Sequence, residues 1–171
     1  MNTIKKIIKN ILLEIFDNLD IPKEFKIIKN ENDIIYKFIH KNIDYGIEFK
    51  IVKNKNINDI MIPDEKIKKI IFNTKNKYHI AFGVLINDTQ VSDNMQTNKY
   101  EAIEVINNVN AIINDFINKN NVKVITYYAT KKRDSIYKYI YDKHLKNNFF
   151  FYTAKETPFY DRFLIKKELI K

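Results

Sequence analysis

The chain of 171 residues has no cysteine, no tryptophan, two glycines (Gly46 and Gly83), three prolines and two arginines (Arg133 and Arg162). Without cysteine there is no disulfide, no thiolate metal site and no cysteine nucleophile. Two isolated glycines exclude a P-loop, a dinucleotide fingerprint and a G-x-S-x-G nucleophile elbow. Arginine is the usual bidentate reader of guanine and a favoured fork for phosphate, so its scarcity argues against sequence-specific base readout. No apolar run approaches the eighteen or so uninterrupted residues that a membrane span needs. What is abundant is isoleucine, lysine and asparagine, with a net charge of +9 and a pI of about 9.4. That balance invites a polyanion partner through non-specific electrostatics. It is also the bias that AT-rich coding sequence produces.

The length fits one domain, 1–171, able to bury about two-thirds of the surface of its unfolded chain. At the amino terminus Ile4, Ile7, Ile8, Ile11, Ile15 and Leu19 recur every three or four positions. This predicts an amphipathic helix over 3–19, capped by Thr3, ended at Ile21-Pro22 and laid on a sheet. The interleaved Lys9, Asn10 and Glu14, and the lack of a small-residue cleavage site, argue against a secretion signal. The expected location is therefore cytoplasmic, with no membrane partner.

Strands are predicted over 25–29, 34–40 and 45–52, the last two as an antiparallel hairpin through Lys41-Asn42-Ile43-Asp44. In the third, Tyr45, Ile47, Phe49 and Ile51 share one face, and Glu48 and Lys50 the other. An irregular lysine-rich insert follows over about 54–76, with a short helix starting near Pro63-Asp64. Residues 78–86, YHIAFGVLI, are apolar on both faces and predict an interior strand. Gly83 within it predicts a bulge or a close backbone approach, by a ligand for example. After a polar loop over 87–99, a helix carries Ala102, Ile106, Val109, Ile113 and Phe116, and Asn118 to Asn121 stop it. Residues 122–151 then read as strand, basic elbow, crossover helix and returning aromatic strand, with Thr130 or Asp134 as the helix cap. A turn at Thr157-Pro158 and a strand over 159–165 close the chain. The fold class is α+β, a single mixed, mostly antiparallel sheet with helices on both faces.

This order, and the run Val122 to Tyr137 with Ser135, Ile136 and Tyr137 on its helix, resembles the GNAT superfamily of acetyl-CoA-dependent N-acetyltransferases. Arg133, Ser135 and Tyr137, spaced Arg-x-Ser-x-Tyr, lie where small GNAT-like proteins encoded in bacteriophage genomes have an Arg-x-Ser-x-x-Tyr-like element, and resemble it. The resemblance covers about half the chain, from Tyr78 onward. It implies a V-shaped parting between the strands near Phe82 and Ile125, with Tyr137 as the general acid that protonates a leaving thiolate. It further implies an anion site for the cofactor pyrophosphate at Gln96, Thr97, Asn98 and Lys99, with Glu48, Asp88 or Glu104 as the base. Working members wrap that pyrophosphate with glycines, whose backbone approaches closely. Here neither glycine lies in the loop, and the family's glycine-phenylalanine after the last helix is replaced by His144 to Phe149.

Three functions follow, the first two implied by the resemblance and the third read from the basic and aromatic residues. The first is a non-catalytic GNAT-like binding or structural module, phage-encoded and found in host cytoplasm or virion, that has no cofactor and acts through a protein partner or homo-oligomer. The second is an N-acetyltransferase that uses acetyl-CoA. The third is a basic nucleic-acid-binding protein, in which Lys131, Lys132 and Arg133, followed by Tyr137, Tyr139, Tyr141 and Lys143, track a phosphate backbone and stack bases. A packed aromatic helix with a solvated lysine face explains the same pattern. His40, His79 and His144 are dispersed and predict no metal site.

Overall fold

The computed structural model describes residues 25–54, 62–86, 90–92, 101–155 and 160–170. Strand β1 (Phe25–Lys29), β2 (Asp33–His40) and β3 (Ile43–Ile51) form an antiparallel meander. The β2–β3 link is a two-residue turn, shorter than the four residues expected, with Lys41 at φ 47° and Asn42 at φ 64°. Paired left-handed residues match the twist of a tight hairpin. The register keeps Tyr36↔Ile47 and Phe38↔Tyr45 together while Asp33 faces Lys50.

Helix α1 (Glu65–Asn73) is the short helix expected from Pro63-Asp64 within the lysine-rich insert. Asp64 caps it, its Oδ1 accepting from the Ile67 backbone N–H at 3.0 Å. At the other end the buried Lys77 ammonium donates to the carbonyls of Ile71 (3.0 Å) and Phe72 (3.3 Å). A cation there complements the negative end of the helix dipole. Burial pulls the Lys77 ammonium below the usual lysine range.

Strand β4 (Lys77–Ile86) is interior as expected, with β3 antiparallel along one edge. Strand β5 (Gln90–Ser92) doubles back on its end, pairing Val84↔Ser92 and Ile86↔Gln90. This three-residue strand lies within the segment read as a plain loop. Helix α2 (Glu101–Lys119) follows and ends in Asn121 at φ 47°, a left-handed stop suited to asparagine. Next come β6 (Val124–Ala129), α3 (Lys131–Ile140) running into a wider π turn at Tyr141–Leu145, β7 (Phe149–Lys155) and β8 (Tyr160–Lys166). The sheet order is β1-β2-β3-β4-β6-β8-β7, with β5 on β4. Strand β8 is inserted between β6 and β7 and is antiparallel to both. Among the described strands the β4–β6 pair is the parallel one. The expected N-terminal helix over 3–19 and the turn at Thr157-Pro158 lie outside the described residues.

Two apolar clusters hold these elements. In one, Val105, Val109, Ile112, Ile113 and Phe116 of α2 and Tyr137, Ile140 and Leu145 pack with Phe49, Phe82, Ile125 and Leu164. At its centre the Phe49 and Phe116 rings stack 3.7 Å apart. In the other, Ile67 and Ile71 of α1 pack with Ile62, Val124, Phe163 and Ile165. The two clusters take alternate residues of β6 and β8, as a period of two requires.

The two glycines are cross-strand partners, Gly46↔Gly83. A Cβ on Gly83 would stand 1.7 Å from the carbonyl oxygen of Ser92, and one on Gly46 would stand 2.6 Å from Leu85 Cδ2 and 3.1 Å from Val91 Cγ2. The close approach expected at Gly83 is thus made by the chain's own β5. Gly83→Ala should destabilise by about 1–3 kcal/mol in urea unfolding, the cost of overpacking against a backbone that has nowhere to go. Gly46→Ala should cost less, because its nearest neighbour is a movable leucine side chain.

Candidate functional site around Tyr137

Strands β4 and β6 pair over three positions only, Lys77↔Val124, Tyr78↔Ile125 and His79↔Thr126. Beyond them, Ile80 to Gly83 pair with β3 alone among the described strands, until β5 joins at Val84. Helix α3 places Tyr137 at this point. Its hydroxyl lies 3.5 Å from the carbonyl oxygen of Ile80, at the outer limit of hydrogen bonding. Its ring stacks on Tyr127 at 4.2 Å and meets Phe82 edge-on at 5.3 Å. The residue is 6% exposed. Tyr137 is therefore a packed core side chain whose hydroxyl points at backbone.

A buried polar network anchors the start of α3 beside it. The Asp134 carboxylate receives Arg162 Nε at 3.0 Å and Arg162 Nη2 at 3.2 Å, a two-pronged pair. The Tyr127 hydroxyl donates to the same carboxylate at 3.1 Å. Arg162, 4% exposed, also lies over the Phe151 ring at 5.6 Å. Burial, then the Asp134 charge, push the Tyr127 phenol far above its ordinary value. The Tyr127 hydroxyl thus stays protonated and serves as a donor. Thr130 is the residue that precedes the helix, making no side-chain cap bond, and the Asp134 side chain is committed to Arg162. Sequence reasoning missed this network. The signal was there: Arg162 is one of two arginines among thirty basic residues, and a planar fork is hard to replace with lysine.

The other expected residues are not gathered around Tyr137. Glu48 stands opposite Ala81, alternate to Ile47 and Phe49, and so on the other sheet face from Phe82 and Tyr137. Burial raises its carboxyl despite nearby Lys50. Glu104 lies 3.3 Å from His40 Nε2 across α2 and β2. Asp88 and the anion loop Gln96, Thr97, Asn98 and Lys99 lie outside the described residues. Lys131, Lys132 and Arg133 form the first turn of α3, so the basic segment is helix and not elbow; their side chains are outside the description. His79 stands opposite Lys50, and burial, followed by the Lys50 charge, lowers its imidazole below the ordinary range. Among the described residues no group of His, Asp and Glu is arranged to hold a metal ion, and no helix is long and apolar enough to cross a membrane.

Fold and site together define an α+β protein with one mixed, open, eight-stranded sheet and three helices among the described residues. No protein-family model matches the sequence, and no curated protein does.

Two outcomes test the polar groups. Asp134→Ala strands a buried guanidinium and should cost about 3–5 kcal/mol, whereas Asp134→Leu combined with Arg162→Met should cost clearly less than the two single changes summed. A double-mutant cycle in urea reads the coupling. His79 has a folded-state pKa depressed below its unfolded value, so its contribution is intact above the unfolded value near 6.5 and is lost as pH falls toward the folded value. Between pH 7.5 and 5, the parent should lose more stability than His79→Gln. Parallel curves would remove His79 as an acid-sensitive group.

Proposed function

We propose that the chain is a divergent GNAT-like protein, of the kind encoded in bacteriophage genomes, that uses the fold as a non-catalytic binding or structural module. The observation that carries this reading is the inward setting of Tyr137: buried, stacked on Tyr127, its hydroxyl turned to the Ile80 carbonyl. A general acid must reach a leaving group, and a hydroxyl spent on backbone is poorly placed to do so. The covering of Gly83 by Ser92 supports the same reading, since the one glycine of β4 serves internal packing. Helices on both faces belong to this GNAT-like reading. It is supported by α1 drawing on Val124, Phe163 and Ile165 while α2 and α3 draw on Ile125 and Leu164.

Function then rests on protein contacts and needs no cofactor. Ile39, at 65% exposed, and Tyr128, at 53%, are large apolar side chains offered to solvent. Such groups gain most from burial in a partner.

One observation favours a second reading, an acetyl-CoA-dependent N-acetyltransferase. The pairing of β4 with β6 ends after His79 and Thr126, and a tyrosine hydroxyl stands where the two strands separate. Thermal unfolding with acetyl-CoA separates the two. Under the binding-module reading, acetyl-CoA at about 1 mM leaves Tm unchanged, and Tyr137→Phe lowers stability by less than about 1 kcal/mol, since the hydroxyl makes a long contact to the Ile80 carbonyl. A Tm that climbs with acetyl-CoA concentration would overturn it, because only a ligand of the native state stabilises by mass action.

A further inference from the structure

The outer strand β7 carries an unusual edge. Its inner edge pairs with β8 from Phe149↔Lys166 to Thr153↔Arg162, and among the described residues no strand pairs with its outer edge. Residues 149–154 read FFFYTA, without charge or proline, in a chain where 30% of residues are charged. Lysines, prolines and inward charges are the ordinary means of keeping an edge strand from pairing with another molecule. Such devices come only at the far end of the strand, where Lys155 closes it and the register shifts between Thr153 and Lys155.

A side chain takes their place. The Asn148 carbonyl accepts from Lys167 N at 3.0 Å, on the β8 side. Carbonyls alternate in direction along a strand, so the backbone groups of Phe149 and Phe151 face outward. The Tyr141 hydroxyl donates to that outward Phe149 carbonyl at 3.2 Å. The hydroxyl therefore takes up an outward acceptor that an added strand would engage. The Tyr141 ring packs on Phe151 at 5.1 Å, which fixes the side chain against the edge. The π turn starts at this residue, with Lys146 N donating to the Tyr141 carbonyl at 2.8 Å. A π turn is an irregularity that commonly has a local purpose.

We propose that Tyr141 is an edge guard: its hydroxyl occupies the outward Phe149 carbonyl of β7, its ring covers Phe151, and together they keep a second copy of this chain from pairing there antiparallel. The occupant held off is a second copy because an antiparallel β7–β7 pair is self-complementary about a two-fold axis, and the uncharged segment sets no repulsion against itself. Phe150, 41% exposed and alternate to Phe149 and Phe151, would be buried by such pairing. The inference stands apart from the functional reading above, since it concerns only backbone satisfaction at one edge.

Sedimentation velocity on the full chain between about 5 and 200 µM tests it. Tyr141→Phe keeps the ring and removes the hydroxyl; it is expected to raise the average mass with concentration relative to the parent, to dimer or beyond. Adding Phe150→Lys, which places like charges across the new pair, should return the mass to that of the parent. A Tyr141→Phe protein that matches the parent at every concentration overturns the proposal, as does association that Phe150→Lys leaves unchanged.

Discussion

The Asp134–Arg162 pair is the contact on which the second half of the molecule depends. It joins the first turn of α3 to β8, and through the Tyr127 hydroxyl it reaches β6. Taking both charges from water costs several kcal/mol per ion, repaid only when geometry is good and the remaining donors find partners. The two-pronged contact and the tyrosine donor supply that geometry. The result is directional: apolar packing alone would let α3 slide along the sheet, whereas a planar fork on a carboxylate fixes its register. The stacking of Tyr127 on Tyr137, and the edge-on contact of Tyr137 with Phe82, inherit their position from that pair.

The middle of the sheet obeys a different constraint. Strand β4 outlasts its pairing with β6 by seven residues, Ile80 to Ile86, and such an edge has to be satisfied by something. Near Ile80 the Tyr137 hydroxyl faces the carbonyl, and from Val84 onward β5 takes over. The glycine pair makes room for that second partner. The scarcity of glycine is thus met by placing both residues at one contact. Aromatic residues do the complementary work of filling the space under α2, where Phe116 stacks on Phe49 and stands edge-on to Tyr36 and Tyr78.

Much of this architecture was legible from periodicity. The alternation of Tyr45, Ile47, Phe49 and Ile51 against Glu48 and Lys50, the interior character of residues 78–86 and the buried stripe of α2 all follow from apolar spacing, and the register agrees with them. What escaped the sequence is what depends on long-range geometry. A three-residue strand such as β5 is too short to carry a period of two. The two-residue turn at Lys41-Asn42 lacks the usual glycine, so the hairpin loop was read too long. Asp134 read as a local cap because capping is the common use of aspartate before a helix. Its partner lies 28 residues away, a separation no local pattern records. Tyr137 was found by resemblance, but the direction of its hydroxyl is a property of packing.

Lys77 shows how a single interior amine ties a helix to its surroundings. Its ammonium closes α1 by holding the carbonyls of Ile71 and Phe72, with Asn54 as a further acceptor. Of the 28 lysines that remain when the two arginines are subtracted from thirty basic residues, this one is 4% exposed. An amine reagent or a modifying enzyme reaches it only when the end of α1 lifts away. Acylation there would leave the helix terminus without its cation, so the lifted arrangement would persist once trapped.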